Sequence, residues 1–214
     1  MLHYSVFLTI FVNDMIYKND ILSLHKPQRF PEVGDMLISE PFLLEPYFMR
    51  SVVLMVNHSD SSDVGLVLNN ITDFSLADAV EGIVSPKPIP LYCGGPVGQN
   101  RLFVVHTLGD IIPESVPVAD GVYINGDMRI IKEYINSGCE VIGKMRFFVG
   151  YSGWDSNQLA GELERHSWAV LAMNSTISRS LLLGEGNDYW LRHVDMLGDD
   201  FSTWKLCPVN PGMN

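Results

Sequence analysis

A serine within a glycine-rich turn is the first residue of this chain that could act as a nucleophile. Ser152 lies in the segment FVGYSGW (residues 148–154), where an apolar run meets two glycines and two aromatic residues. A nucleophile elbow has the pattern Gly-x-Ser-x-Gly, and its second glycine allows a helix to approach closely. Trp154 stands where that glycine is required. The segment therefore favours a small polar residue in a tight turn over a hydrolase site.

The histidines do not predict a metal site. His166 and His193 are 27 residues apart, and His58 and His106 are still further from their neighbours. Zinc ligands typically recur within a few residues of one another. His58 lies near two aspartates, so a loop site is an alternative there, but a polar hairpin is the interpretation we favour. We expect no bound metal.

A second glycine cluster, YCGGPV (residues 92–97), places a thiol beside backbone amides. The amides of Gly94 and Gly95 could stabilise a Cys93 thiolate or cradle a phosphate. However, neither the Gly-Lys-Ser/Thr ending nor the Gly-x-Gly-x-x-Gly spacing of nucleotide sites is present. We predict that Cys93 is a small residue at a strand end and that the glycines bring two backbones together. No cofactor is expected.

Composition excludes several classes of function. The 214 residues are 47% hydrophobic and 18% charged, which is sufficient for a folded domain with a core. The net charge of -11 argues against nucleic acid and anionic membranes as direct partners. Three cysteines at long spacings form no disulfide framework and indicate a reducing, cytoplasmic location. The expected partner is an unidentified protein or small molecule.

The chain divides into a lead-in, residues 1–33, and one domain, residues 34–214. The apolar run at residues 2–12 has no preceding basic residue and no small-residue cleavage site, and it is too short to span a bilayer. We expect the lead-in to be disordered, or the start to be wrongly assigned, with Met15 as the true initiator.

The elements that must position these residues follow from apolar periodicity and from turn residues. Strands are predicted at 36–39, 51–56, 65–68, 89–92, 101–107, 121–124, 144–150 and 168–173. Helices are predicted at 75–84, 127–137, 188–197 and from residue 155. The strands at 51–56 and 65–68 form a hairpin. The result is a mixed α/β (α+β) fold without strict βαβ alternation.

Six motifs, taken in order, resemble the YqgE/AlgH family of bacterial proteins. They are GDMLISEP (34–41), FMRSVVL (48–54), GLVLN (65–69), YCGGPV (92–97), DGVYINGD (120–127) and FVGYSGW (148–154), the last followed by Gln158, Leu159 and Glu162. The resemblance covers residues 34 to about 200. It departs from the family at Asn69-Asn70-Ile71, where the family usually has Asn-Arg/Lys-Pro, and the lead-in has no counterpart.

The resemblance implies a single compact domain with a mixed, strongly bent, barrel-like sheet flanked by helices. Through one branch of the family it also implies a link to transcriptional control of exopolysaccharide (alginate) synthesis. The family offers no accepted catalytic residues to carry over to this chain.

A candidate binding surface, which we call the glycine-aromatic surface, combines the polar and glycine motifs. Its members are Arg50, Asn69, Gly94, Gly95, Pro96, Tyr151, Gly153 and Trp154. The favoured hypothesis is a non-enzymatic regulatory or binding module, linked to transcriptional control without direct DNA binding. On this hypothesis the surface receives a protein or a small ligand.

Three alternatives stay open. The first is an enzyme whose cleft brings together Arg50, Asn69, His58 and Asp127. The second is a direct transcriptional regulator, although the helix predicted at 127–137 is followed by Gly138 and a strand instead of a recognition helix. In the third, the glycines serve only tight backbone crossings and Trp154 belongs to the core.

Overall fold

The apolar runs of the sequence form strands of one ten-stranded sheet. The computed structural model describes residues 29–43, 45–59, 61–155 and 157–209. The strands are β1 (Met36–Ser39), β2 (Val52–His58), β3 (Ser62–Val67), β4 (Ile71–Ser75), β5 (Pro90–Cys93), β6 (Val97–His106), β7 (Val116–Ala119), β8 (Val122–Ile124), β9 (Met145–Asp155) and β10 (Trp168–Leu171). The predicted hairpin is confirmed as the antiparallel pair of β2 and β3.

The sheet is mixed and open. Its strand order is β10-β1-β2-β3-β9-β6-β8-β7, and β4 joins through β5, which pairs with β9. The β5–β9 pair is parallel, whereas every other pairing among the described strands is antiparallel. The α+β class and the single domain are confirmed. The barrel-like sheet does not close, because β10 and β7 lie at opposite ends of the order.

The helices connect and cover the sheet. They are α1 (Leu76–Ala79), α2 (Met128–Asn136), α3 (Gln158–Glu164), α4 (Ser175–Ser180) and α5 (Gly186–Leu197), followed by a 3₁₀ helix at Asp199–Leu206. The helix predicted at 75–84 is much shorter than expected. Ser75 and Asp78 form its capping box, but Val80 already adopts an extended conformation.

Strand β9 is the longest strand, and its partners change along its length. Residues 147–149 pair with β5, whereas residues 152–155 pair with β3 on the same edge. The carbonyl oxygen of Gly94 marks the change, because it accepts hydrogen bonds from the Val67 amide and the Ser152 hydroxyl, each at 3.0 Å. On the other edge, the pairing of β9 with β6 is irregular between Val97 and Leu102. The sheet therefore bends where these strands meet.

Three clusters of buried side chains form the core. The largest packs α5 and the 3₁₀ helix against the sheet, with Trp190 stacked on Trp204 at 6.4 Å. A second joins α2 to β5, β6 and β9, and a third surrounds Trp154 and Trp168. The predicted lead-in lies outside the described residues as far as residue 28, so its boundary stays a prediction.

His193 is fully buried in the largest cluster. Its Nδ1 lies 2.7 Å from the carbonyl oxygen of Tyr189, so Nδ1 carries the proton and donates it. Its Nε2 is buried and has no hydrogen-bond partner in the part of the chain that the structure describes. Burial lowers the pKa of His193 to about 4, since a charged ring would add a buried N–H with no acceptor.

We expect the free energy of unfolding to decrease as the pH falls from the ordinary pKa of 6.5 to about 4. Between these two pH values the unfolded chain protonates this ring but the folded chain does not. The resulting loss in the free energy of unfolding is about 3 kcal/mol. Urea unfolding at a series of pH values measures the effect. His193→Asn, which keeps a donor for the Tyr189 carbonyl, should lose this part of the dependence of the unfolding free energy on pH. An identical pH dependence in the wild type and the variant would contradict the lowered pKa of His193.

Candidate functional site

A cleft of about 210 Å³ lies between the start of β2, the end of β3 and the N-terminus of α5. It is lined by Pro46, Tyr47, Met49, Arg50, Ser51, Val67, Asn69, Asn70, Gly186, Asn187 and Val209. Arg50 and Ser51 are buried, whereas Tyr47, Met49 and Val209 are exposed. The buried polar residues therefore form the floor of this Arg50 cleft, and the exposed ones form its rim.

Asn69 holds the cleft together. Its Oδ1 accepts a hydrogen bond from the Val52 amide, and its Nδ2 donates to the carbonyl oxygens of Arg50 and Gly186, all at 2.9 Å. Its own carbonyl accepts from the Gly186 amide at 3.1 Å. One buried asparagine thus joins the end of β3 to the start of β2 and to the first residue of α5.

Arg50 is a buried cation with neutral partners. Its Nη1 donates to Oδ1 of Asn187 at 2.8 Å, and its Nη2 donates to the Cys207 carbonyl at 2.6 Å. The guanidinium lies 4.7 Å from the centre of the Trp190 ring. Burial lowers the pKa of Arg50. Its backbone has a φ of +48°, a left-handed conformation that is uncommon outside glycine.

Two polar atoms of the floor, Nε of Arg50 and Oγ of Ser51, are buried and have no hydrogen-bond partner among the described residues. Buried polar groups in native proteins are nearly always hydrogen-bonded, so two unpartnered atoms on adjacent residues require an explanation. Together with the amides of Asn70 and Asn187, they give the cleft a set of hydrogen-bonding groups around one positive charge.

The predicted glycine-aromatic surface is only partly brought together. Arg50 and Asn69 meet in the cleft. Gly94 and Gly95 are one strand away, since the Cys93 amide bonds to the Asn70 carbonyl at 2.8 Å. Gln99 connects the two regions, because its Nε2 donates to the Tyr47 hydroxyl at 3.4 Å and to the Gly95 carbonyl at 3.3 Å.

Gly94 and Gly95 cross the backbone of β9 in close contact. A Cβ at Gly94 would lie 2.4 Å from the Gly150 carbonyl oxygen, and one at Gly95 would lie 2.4 Å from that of Tyr151. These distances are far below van der Waals contact, so the glycines are required by the crossing itself. Tyr151 is half-buried against Phe103, with ring centres 5.9 Å apart. Pro96 is exposed beside this crossing.

Trp154, which is predicted to lie on the glycine-aromatic surface, is a core residue. It is 2% exposed and lies within β9, which extends five residues beyond the predicted end at residue 150. Its indole stacks on Phe48 at 6.2 Å, and its Nε1 donates to Glu162 at 2.8 Å. The same carboxylate oxygen accepts from Trp168 Nε1 at 2.8 Å. Gly153 is exposed in β9, paired with β3.

The four residues of the enzyme alternative do not converge. His58 pairs with Asp63 at the far end of β2, about 20 Å from the start of that strand at Val52, which follows Arg50 and Ser51. Asp127 caps α2 by accepting from the Arg129 amide at 2.8 Å. Neither residue lines the Arg50 cleft.

His106 also has a structural role, although the Ser115 hydroxyl lies 3.1 Å from its Nε2. Its Nδ1 accepts from the Leu108 amide at 3.1 Å, so Nε2 carries the proton and faces the Asn125 carbonyl at 2.8 Å. Burial lowers its pKa. A ring fixed in this tautomer presents no free nitrogen to activate the serine.

The described part of the chain contains no cluster of three or more His, Cys, Asp or Glu side chains arranged to hold a metal ion. Within the same residues, no helix combines the length and the apolar character needed to cross a bilayer.

Comparison with known proteins identifies the family. Residues 36–202 match the family model described as AlgH-like. The chain belongs to the AlgH-like family. It is 41% identical over 199 residues to a UPF0301 protein of Parabacteroides distasonis, which covers 92% of this chain and 98% of the relative. It is 38% identical over 196 residues to a UPF0301 protein of Bacteroides thetaiotaomicron, with the same coverage.

Two solved structures share the fold of this AlgH-like chain. Protein DIP2367 from Corynebacterium diphtheriae aligns with a TM-score of 0.70 at 22% identity, covering 87% of this chain and 98% of that one. The AlgH protein from Pseudomonas aeruginosa aligns with a TM-score of 0.60 at 24% identity, covering 86% and 98%. At these identities the likeness concerns the fold alone.

Sequence reasoning missed most of the lining of the Arg50 cleft. Ser51 follows Arg50 directly and is the first residue of the apolar strand predicted at 51–56, so its burial could have been inferred. Asn187 is 137 residues from Arg50, and Cys207 is 157 residues away. No local pattern links residues at those separations.

We expect Asn69→Ala to lower the free energy of unfolding by about 3 kcal/mol, because it removes three side-chain hydrogen bonds and leaves the buried Val52 amide unpaired. Asn70→Ala is the matched control, since Asn70 uses its backbone carbonyl for its bond to Cys93. That control should change stability by less than about 1 kcal/mol. Chemical denaturation measures both variants, and equal losses would show that Asn69 does not hold the cleft together.

Proposed function

We propose that this protein is a non-enzymatic regulatory module that binds a small molecule in the Arg50 cleft. The composition of the cleft carries the proposal: one buried cation, a serine hydroxyl and several amides converge there. Such groups fix the orientation of a ligand through charge and hydrogen bonds. Among the described lining residues, no histidine, aspartate or glutamate is available as a general base for Ser51.

The backbone of Arg50 supports the same location. A non-glycine residue held in the left-handed region costs free energy, and such strain is found preferentially at ligand-binding sites. Here the strain is maintained by Asn69, which bonds to the Arg50 carbonyl at 2.9 Å. The fold therefore keeps the Arg50 side chain in a fixed position beside the cleft.

The regulatory part of the proposal rests on the family resemblance, which links one branch to transcriptional control. We place this action in the cytoplasm, where the three free cysteines would remain reduced. The proposal excludes direct contact with DNA. The net charge of the chain is -11, which opposes binding to the phosphates of DNA.

A bacterial metabolite extract tests the proposal with two readouts. The purified full chain is incubated with the extract, and mass spectrometry then identifies compounds retained by the protein and compounds consumed. We expect a retained compound and no consumption. Met49→Trp should abolish retention, because it enlarges an exposed rim residue without altering the buried hydrogen bonds.

Ile142→Trp is the matched control, since Ile142 is an exposed apolar residue that does not line the cleft. It should retain the compound as the wild type does. Consumption of a compound by the wild type would contradict the non-enzymatic proposal. Retention unaffected by Met49→Trp would show that binding occurs elsewhere.

A further inference from the structure

The buried charge of Arg50 has no anionic partner within the described part of the chain. Arg50 is 5% exposed, and the ion pairs among the described residues do not include it. Its terminal nitrogens donate to an amide oxygen and a carbonyl oxygen, both neutral. Burying a charge without a counter-charge is costly. An external anion would supply the missing counter-charge.

The two unpartnered atoms of the floor match such an anion. Nε of Arg50 is an N–H donor, and the Ser51 hydroxyl is able to donate as well. They belong to adjacent residues, and both residues line the cleft. Charge-assisted hydrogen bonds from guanidinium to carboxylate or phosphate oxygens are among the strongest in proteins.

Arg146 provides an internal comparison. It is also buried and also bonds only to carbonyl oxygens, those of Leu68 at 2.6 Å and Gly184 at 2.7 Å. However, its guanidinium lies between two aromatic rings, 4.4 Å from Tyr92 and 5.5 Å from Tyr189. Arg146 does not line the cleft, and its Nε is not among the unpartnered buried atoms. Arg50 thus differs from a purely structural arginine in having a spare donor beside a cleft.

The N-terminus of α5 adds to the positive potential of the cleft. This twelve-residue helix begins at Gly186, and its N-cap residue Glu185 makes no side-chain hydrogen bond to it. The N-terminus of a helix carries a partial positive charge that favours anions. Gly186 and Asn187 both line the cleft, whereas Glu185 and Asp188 do not, and the Glu185 carboxylate accepts from the Tyr92 hydroxyl at 3.2 Å. The partial charge of the helix therefore acts at the same place as Arg50.

We infer that the ligand of the Arg50 cleft carries an oxyanion, a carboxylate or a phosphate group, bound by Arg50 and Ser51 together. This inference rests on the proposed function, since it names the chemistry of the ligand of that site. The volume of the cleft, about 210 Å³, corresponds to about seven water molecules, so the part of the ligand that enters it is small. Both donor atoms are shielded from solvent, so a ligand reaches them when a side chain of the lining moves.

The test follows the Nε–Hε resonance of Arg50 by NMR in the full chain labelled with nitrogen-15. Sodium phosphate and sodium acetate are titrated separately near neutral pH, against sodium chloride of equal ionic strength. We expect a saturable shift with at least one oxyanion and none with chloride. Stronger binding of phosphate assigns a phosphate group, and stronger binding of acetate assigns a carboxylate.

Ser51→Ala removes one donor and leaves the bond from the Ser51 amide to Ser39 intact. It should weaken the oxyanion about two- to tenfold, the effect of one lost hydrogen bond. Ser202→Ala, at an exposed serine outside the cleft, is the matched control and should leave the affinity unchanged. Equal affinity in the wild type and Ser51→Ala would overturn the role of Ser51.

Absence of a saturable shift with both oxyanions in the folded wild type would overturn the inference. If the metabolite extract still yields a retained compound that Met49→Trp loses, the cleft binds a ligand of other chemistry, and the proposed function survives. If no compound is retained either, both proposals fail.

Discussion

The close crossing of Gly94 and Gly95 over β9 is the constraint on which the rest of this structure depends. At this point β9 exchanges β5 for β3 along one edge, and the Gly94 carbonyl bonds to both β3 and β9. Two backbones can approach this closely only where no Cβ intervenes. Gly150, with a φ of +72°, supplies the bend on the opposite side of the contact. The two glycine clusters therefore serve the packing of strands here, and not a phosphate cradle or a nucleophile turn.

The crossing also determines where a ligand-binding site can form. It fixes the end of β3, so Asn69 emerges at a defined position and bonds to both Arg50 and Gly186. Those bonds hold the N-terminus of α5 against the start of β2 and leave the Arg50 cleft between them. A short series of contacts thus links the structure to the proposed function: the glycine crossing positions Asn69, and Asn69 positions the buried Arg50.

Local signals in the sequence predicted the parts of the fold that depend on local chemistry. The apolar run of β2, the hairpin to β3 and the helix α2 all follow from neighbouring residues. Strand β4 was missed because its residues are mostly exposed and lack an alternating pattern. Trp154 was assigned to the surface because β9 was expected to end at the glycines, whereas it continues through them. Arg50 and Asn69, both members of the predicted surface, meet in one cleft, but their partner Asn187 comes from a distant helix that no spacing could indicate.

The stability of Gly95→Ala, compared with that of Gly121→Ala, tests the central claim most directly. Both glycines have positive φ, but a Cβ at Gly121 meets nothing within 4 Å, whereas one at Gly95 would collide with the backbone of Tyr151. Chemical denaturation should therefore show a loss of about 1 kcal/mol for Gly121→Ala, from backbone strain alone. For Gly95→Ala we predict a loss of more than about 3 kcal/mol, or failure to fold. Equal losses in the two variants would contradict the claim that the crossing organises the sheet.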